Sequence, residues 1–78
     1  MDRSTLEQRL LEVNEDLAAG AENLQRHRQA VADLMRSGQD TEAARKVLRD
    51  VEATQAMYAV EADRLANELA ALPAENAI

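Results

Sequence analysis

The sequence predicts an all-α fold, an antiparallel two-helix hairpin (coiled coil) that dimerises into a four-helix bundle. Two long segments carry aliphatic residues in alternating steps of three and four, which is the heptad pattern of coiled coils. The polar segment 37–40 separates them and is so short that the flanking helices must run antiparallel. The 78 residues include one Tyr and no Phe or Trp, so they can build a thin seam of leucine and alanine but no thick core.

The first helix is predicted over 5–36. Ser4 and Glu7 have the spacing of a capping box, in which two side chains satisfy free backbone N–H groups at the start of a helix. We therefore expect the helix to begin near Thr5. Its seam consists of nine positions in unbroken heptad spacing, which are Leu6, Leu10, Val13, Leu17, Gly20, Leu24, His27, Val31 and Leu34.

The turn is predicted over 37–40, because Gly38 suits the left-handed conformation that follows many helix ends. Asp40 or Thr41 can then cap the second helix, which is predicted over 41–72 and is followed by a tail, 73–78. The chain is therefore predicted to form a single hairpin over residues 1–78. The second seam has the same spacing as the first and consists of Ala44, Leu48, Val51, Gln55, Tyr58, Ala62, Leu65, Leu69 and Leu72.

Folding the chain about the turn pairs residues whose numbers sum to about 78, and the periodicity defines this register to within one layer. The pairing places Gly20, which costs about 1 kcal/mol relative to Ala inside a helix, beside Tyr58. We expect the glycine to leave room for the aromatic ring. We also expect His27 to share a polar layer of the seam with Gln55, because buried polar groups can fix the register of a coiled coil.

The residues predict no catalytic, cofactor-binding or metal site. The chain has no Cys and a single His, and it contains no glycine-rich phosphate loop, G-x-S-x-G motif or H-E-x-x-H motif. We therefore expect the protein not to be an enzyme. One alternative is a histidine-phosphotransfer-like signalling component that uses His27 as phosphoacceptor, which would require the imidazole to face solvent.

The charges are unevenly distributed along the chain. The net charge is −6, yet residues 26–49 carry six Arg or Lys against three Asp or Glu, a local +3. The folded rod would have a basic turn end and an acidic open end, which favours pairing between copies. Nucleic-acid binding through the basic end is a further alternative. We do not expect it, because this end has no aromatic residue for stacking and no groove-reading motif.

A lone hairpin of this size has little stability, because the free energy of burying one stripe nearly cancels the ordering entropy of the chain. A second interface is therefore predicted on the helix flanks, where large apolar residues lie off the seam at Leu11, Met35, Val47, Met57 and Val60. We expect a homodimer, with a protein partner of unknown identity as the alternative occupant. We expect no membrane span, since no apolar run is long enough, and the lack of Cys favours a cytoplasmic location.

The turn region resembles a group of short bacterial helical-hairpin proteins. In that group a histidine-bearing helix, an L-x-x-x-G-x-D-T turn and a second helix recur. Here the turn reads Leu34-Met35-Arg36-Ser37-Gly38-Gln39-Asp40-Thr41, and the resemblance extends over residues 24–69. The resemblance implies a helical hairpin and brings no established activity with it.

Overall fold

The computed structural model describes residues 2–73, which form a hairpin of two helices packed against each other. Helix α1 spans Arg3–Arg36 and helix α2 spans Glu42–Ala71. The molecule measures 67 × 15 × 13 Å along its principal axes and is therefore a rod. The all-α hairpin that the heptad spacing predicts is confirmed, whereas its pairing into a four-helix bundle stays a prediction. The end of the predicted tail, 74–78, lies outside the described residues.

The seam lies where the heptad pattern predicts it. All eighteen predicted seam positions are buried or half-buried, whereas most other helical positions are exposed. Two leucines are almost inaccessible, Leu6 at 1% and Leu65 at 0% exposure, and Val31 and Ala62 complete the buried set among the described residues. The core is therefore a single stripe on each helix. Neither helix, over residues 2–73, is both long enough and apolar enough to cross a membrane.

The start of α1 corrects one prediction. The cap is Asp2, whose carboxylate accepts a hydrogen bond from the Thr5 N–H at 2.8 Å, and the helix begins at Arg3. Ser4 lies inside the first turn and is not the cap. Asp2 suits this position because its negative charge also interacts favourably with the positive end of the helix dipole. The hydrogen bond from Thr5 lowers the pKa of Asp2 below its ordinary value.

The turn has the conformation that its glycine predicts. Gly38 has a φ of 71°, and its N–H donates to the Met35 carbonyl at 3.1 Å. The Gln39 N–H donates to the Leu34 carbonyl at 3.0 Å, which completes a Schellman motif at the end of α1. The side chain of Asp40 then accepts the N–H of Glu42, the first residue of α2, at 3.0 Å. Backbone groups on both sides of the turn are thereby paired where the chain reverses direction, although Thr41, which precedes α2, makes no capping bond through its side chain.

Polar contacts between the helices define their register. At the open end, Arg3 Nη2 donates to the Pro73 carbonyl at 3.3 Å. Nearer the turn, Arg28 and Glu52 form an exposed ion pair at 3.7 Å. The residue numbers of these two pairs sum to 76 and 80, close to the predicted 78, whereas the hydrogen bond from Gln55 to the Leu17 carbonyl joins residues whose numbers sum to 72.

Candidate interaction surface

Five large apolar side chains are exposed among the described residues, and they are the five that the sequence singles out for a second interface. Their exposure is 45% for Val47, 55% for both Leu11 and Met35, 69% for Val60 and 71% for Met57. Isolated apolar residues are ordinary on protein surfaces. Whether these residues form an interface therefore depends on how they are grouped.

The five residues do not form one continuous surface. Leu11 and Met35 both lie on α1, but 24 residues separate them, which corresponds to about 36 Å along the helix axis. Val47 lines a groove between the two helices. Met57 and Val60 line a common depression with a volume of about 350 Å³. This pair is therefore the strongest part of the predicted surface.

The depression at Met57 and Val60 lies on the outer side of α2, opposite the seam. Ala53 and Ala56 share this side, because residues separated by three, four and seven positions align along one face of a helix. All four side chains are exposed. These four residues are named the α2 patch. The sequence singles out the two large members, Met57 and Val60, and the same helical spacing also places Ala53 on this face.

Charged residues of opposite sign flank the α2 patch. On its N-terminal side, the segment 45–49 carries the exposed cations Arg45, Lys46 and Arg49. On its C-terminal side, the segment 61–68 carries Glu61, Asp63 and Glu68 against the single cation Arg64. Glu61 itself borders the depression. The patch therefore lies between the cationic segment 45–49, from which Asp50 and Glu52 separate it, and the acidic segment 61–68 of the same helix.

The acidic flank is organised around Arg64. Its Nε donates to Glu61 at 3.0 Å and its Nη2 to the other Glu61 oxygen at 2.6 Å, while Nη1 donates to Glu68. These hydrogen bonds lower the pKa of Glu61 and raise the pKa of Arg64. Arg64 is thus already paired with two carboxylates, so the flank keeps a net negative charge.

The side chain nearest to Gly20 is that of Gln55, whereas the sequence predicts the ring of Tyr58 beside it. Gln55 Nε2 donates across the seam to the Leu17 carbonyl at 2.7 Å. A Cβ added at Gly20 would lie only 2.9 Å from Cδ of Gln55. Tyr58 lines the same groove as Gly20, one layer further along α2. The Gln55 amide thus occupies the space beside Gly20 while it donates to the Leu17 carbonyl.

The predicted polar layer of His27 and Gln55 is not formed. Gln55 donates instead to the carbonyl of Leu17. Leu17 precedes His27 by ten residues, which separates the two by about 15 Å along the axis of α1. The imidazole makes no hydrogen bond within residues 2–73. His27 is half-buried, so its ring can reach water and does not require a partner inside the seam. The phosphoacceptor alternative stays a prediction, because the ring is neither enclosed nor fully exposed.

A groove of about 440 Å³ runs between the helices on one side of the seam. Its lining combines seam residues such as Val51 and Tyr58 with the carboxylates of Asp16 and Asp50. Across residues 2–73, no three His, Asp or Glu side chains lie close enough together to hold a metal ion. The groove therefore offers an apolar surface with acidic borders and no constellation of metal ligands.

Several cations of the basic turn end are engaged within the chain. Arg36 pairs with Asp33, and Arg45 Nε donates to the Thr41 hydroxyl at 2.9 Å. Through these contacts the two arginines already bind groups of the chain itself, whereas they could otherwise bind nucleic-acid phosphates. Nucleic-acid binding through this end stays an alternative that the sequence raises and that no contact here favours.

Comparison with known proteins identifies no relative. No family model, curated protein or solved structure matches this chain. The function must therefore be argued from the hairpin itself, and its most distinctive surface feature is the α2 patch.

Proposed function

We propose that this chain is a small interaction module that associates with itself through exposed apolar surface on its helices. The observation that carries the proposal is the pair Met57 and Val60, which are 71% and 69% exposed at the centre of a helix whose flanks are charged. Adjacent large apolar side chains on an outer helix face are typical of contact surfaces. We propose no catalytic role for this module. We also propose a cytoplasmic location, because the chain has no Cys.

The thin core supports the same proposal. Each helix buries a single stripe, and among the described residues only Leu6, Val31, Ala62 and Leu65 are fully buried. A core of this size contributes little net free energy of folding. Pairing would bury additional apolar area at about 25 cal/mol per Å², and a two-fold dimer is the commonest way for a small protein to do so.

Sedimentation equilibrium over a wide range of protein concentrations tests the proposal. We expect the mass to rise from that of one chain to that of two. Replacing the exposed Val60 with Glu should shift the protein toward the monomer, because a charge would be buried at the contact. Circular dichroism should show unchanged helix content, since this side chain lies outside the seam.

The matched control is Leu11→Glu, which places the same charge at an exposed apolar residue of the other helix, outside the α2 patch. We expect this variant to associate like the parent chain. The proposal is wrong if the parent chain stays monomeric at every concentration and its melting temperature does not depend on concentration.

A further inference from the structure

We infer that two copies of this chain pair through α2 alone, with the two α2 helices antiparallel and a two-fold axis passing near Met57. The inference depends on the proposed self-association and specifies its interface. The partner is a second copy, and the surface is the α2 patch together with its charged flanks. The α1 helices then lie on the outside of the assembly and the seam of each hairpin is unchanged, so the four helices form a row and not the four-helix bundle that the sequence predicts.

The size pattern of the α2 patch suits a two-fold contact. With the axis near Met57, Val60 of one copy lies opposite Ala53 of the other, so the larger side chain meets the smaller one. Ala56 and Met57 lie together at the centre. The two alanines allow the helix axes to approach to the 8–10 Å that is usual for packed helices.

The charges of α2 select the antiparallel orientation. Segment 45–49 itself carries a net +3, which Glu42, Asp50 and Glu52 reduce to zero over residues 42–52, whereas segment 61–68 carries a net −2. An antiparallel pair places each positive segment against the negative segment of the other copy. A parallel pair would place like charges side by side along the same contact, which is unfavourable.

A series of single cysteines on the outer face of α2 tests the orientation, because the chain has no Cys of its own. Lys46→Cys, Met57→Cys and Asn67→Cys each place one thiol on the outer face of α2, and oxidation yields a disulfide only where the two thiols meet. Of the three variants tested singly, we expect only Met57→Cys to crosslink rapidly. Lys46→Cys mixed with Asn67→Cys should crosslink, although neither does so by itself.

A charge exchange gives a second, independent readout. Arg49→Glu should weaken the dimer, and Asp63→Arg should weaken it also, since each variant places like charges together across the contact. The double variant should restore association, because the introduced carboxylate of one copy would then face the introduced guanidinium of the other. Within one chain these positions are 14 residues apart, about 21 Å along α2, so the restoration cannot come from a contact inside the hairpin.

The outcomes separate this inference from the proposed self-association. The parent chain could dimerise in sedimentation while the Lys46→Cys and Asn67→Cys variants each crosslink as readily as Met57→Cys. This result would show a parallel pair, and it would overturn the inference while self-association stands. Dimers that crosslink through Leu11→Cys and not through Met57→Cys would overturn the α2 surface. A parent chain that is monomeric throughout would overturn both. Crosslinking at Met57 together with restoration by the double charge variant would support the inference.

Discussion

At the scale of single residues, the most informative contact is the hydrogen bond from Gln55 to the Leu17 carbonyl at 2.7 Å. A helix carbonyl has two lone pairs, so it can accept this bond in addition to a bond from its own helix. The Gln55 amide that donates it occupies the space that a Cβ at Gly20 would take. A residue that is unfavourable for its own helix thus permits a polar contact between the two helices.

The exchange of Gly20 for Ala should have different effects in two backgrounds. In the parent chain we expect little gain or a loss of stability, because the added Cβ displaces the Gln55 amide and removes a hydrogen bond worth about 1 kcal/mol. In a Gln55→Ala background the same exchange should stabilise the helix by about 1 kcal/mol, the ordinary difference between the two residues. Chemical denaturation of the four proteins measures this coupling.

Ala18→Gly is the matched control for this cycle, since Ala18 is exposed on the same helix. It should cost about 1 kcal/mol in both backgrounds. Equal effects of Gly20→Ala in the two backgrounds would contradict the role assigned to Gln55.

Asp2 should make a pH-dependent contribution to stability. The hydrogen bond from Thr5 lowers the pKa of Asp2 below its ordinary value of 3.8, so its contribution is present above that value and is lost as the pH falls through the lowered pKa. We expect Asp2→Ala to melt at a lower temperature than the parent chain at pH 7. The gap should close as the pH is lowered below 3.8, which thermal unfolding at a series of pH values measures.

Ser4→Ala is the control for the cap, because Ser4 lies inside the first turn of α1. It should leave the melting temperature close to that of the parent chain at every pH. A gap between Asp2→Ala and the parent chain that does not change with pH would show that the carboxylate charge is not involved.

At the scale of elements, the turn between α1 and α2 is held by backbone conformation more than by packing. Gly38 has a φ of 71° and nothing within 4 Å of the position that a Cβ would take. A side chain at this residue would therefore meet no obstacle, and its only cost would be conformational strain.

Gly38→Ala should destabilise the hairpin by about 1 kcal/mol, because an L-residue with a side chain disfavours the left-handed region. Gly38→Asn should cost less, since Asn tolerates that region better. Urea denaturation of the two variants measures the order. If Gly38→Asn lowered the free energy of unfolding as much as Gly38→Ala does, something other than backbone conformation would hold the turn.

The sequence predicts the elements well and the contacts between them less well. Heptad spacing identifies every seam position, and Gly38 identifies the turn. The spacing cannot decide between Tyr58 and Gln55 as the residue over Gly20, because both lie on the seam and a shift by one layer keeps seam against seam. The capping pattern favours Ser4 as the N-cap of α1, yet the carboxylate of Asp2 can cap a helix as well as a hydroxyl can. The hydrogen bond from the Thr5 N–H to Asp2 identifies Asp2 as the cap.

At the scale of the whole molecule, the thin core and the α2 patch point to association as a source of stability. A partner that binds only the folded chain raises the melting temperature as its concentration rises. The five large apolar residues predicted for a second interface are all exposed, and Met57 and Val60 of the α2 patch line a common depression.

We therefore expect the melting temperature of the parent chain to rise with protein concentration. Met57→Glu should remove this dependence and weaken the dimer by at least about 100-fold, because a two-fold contact carries the added charge twice. Thermal unfolding of both proteins at several concentrations measures the effect. The same concentration dependence in parent and variant would mean that the α2 patch takes no part in association.

The distribution of burial along the rod has a consequence for how the hairpin opens. The two least accessible residues, Leu6 and Leu65, lie toward the open end, where no peptide segment joins the helices. Peptide connectivity therefore holds one end of the rod while side-chain packing holds the other. Opening from that end must disrupt the packing of these two leucines first, so the backbone amides around Leu65, within α2, should exchange with deuterium more slowly than those in the first turn of α1.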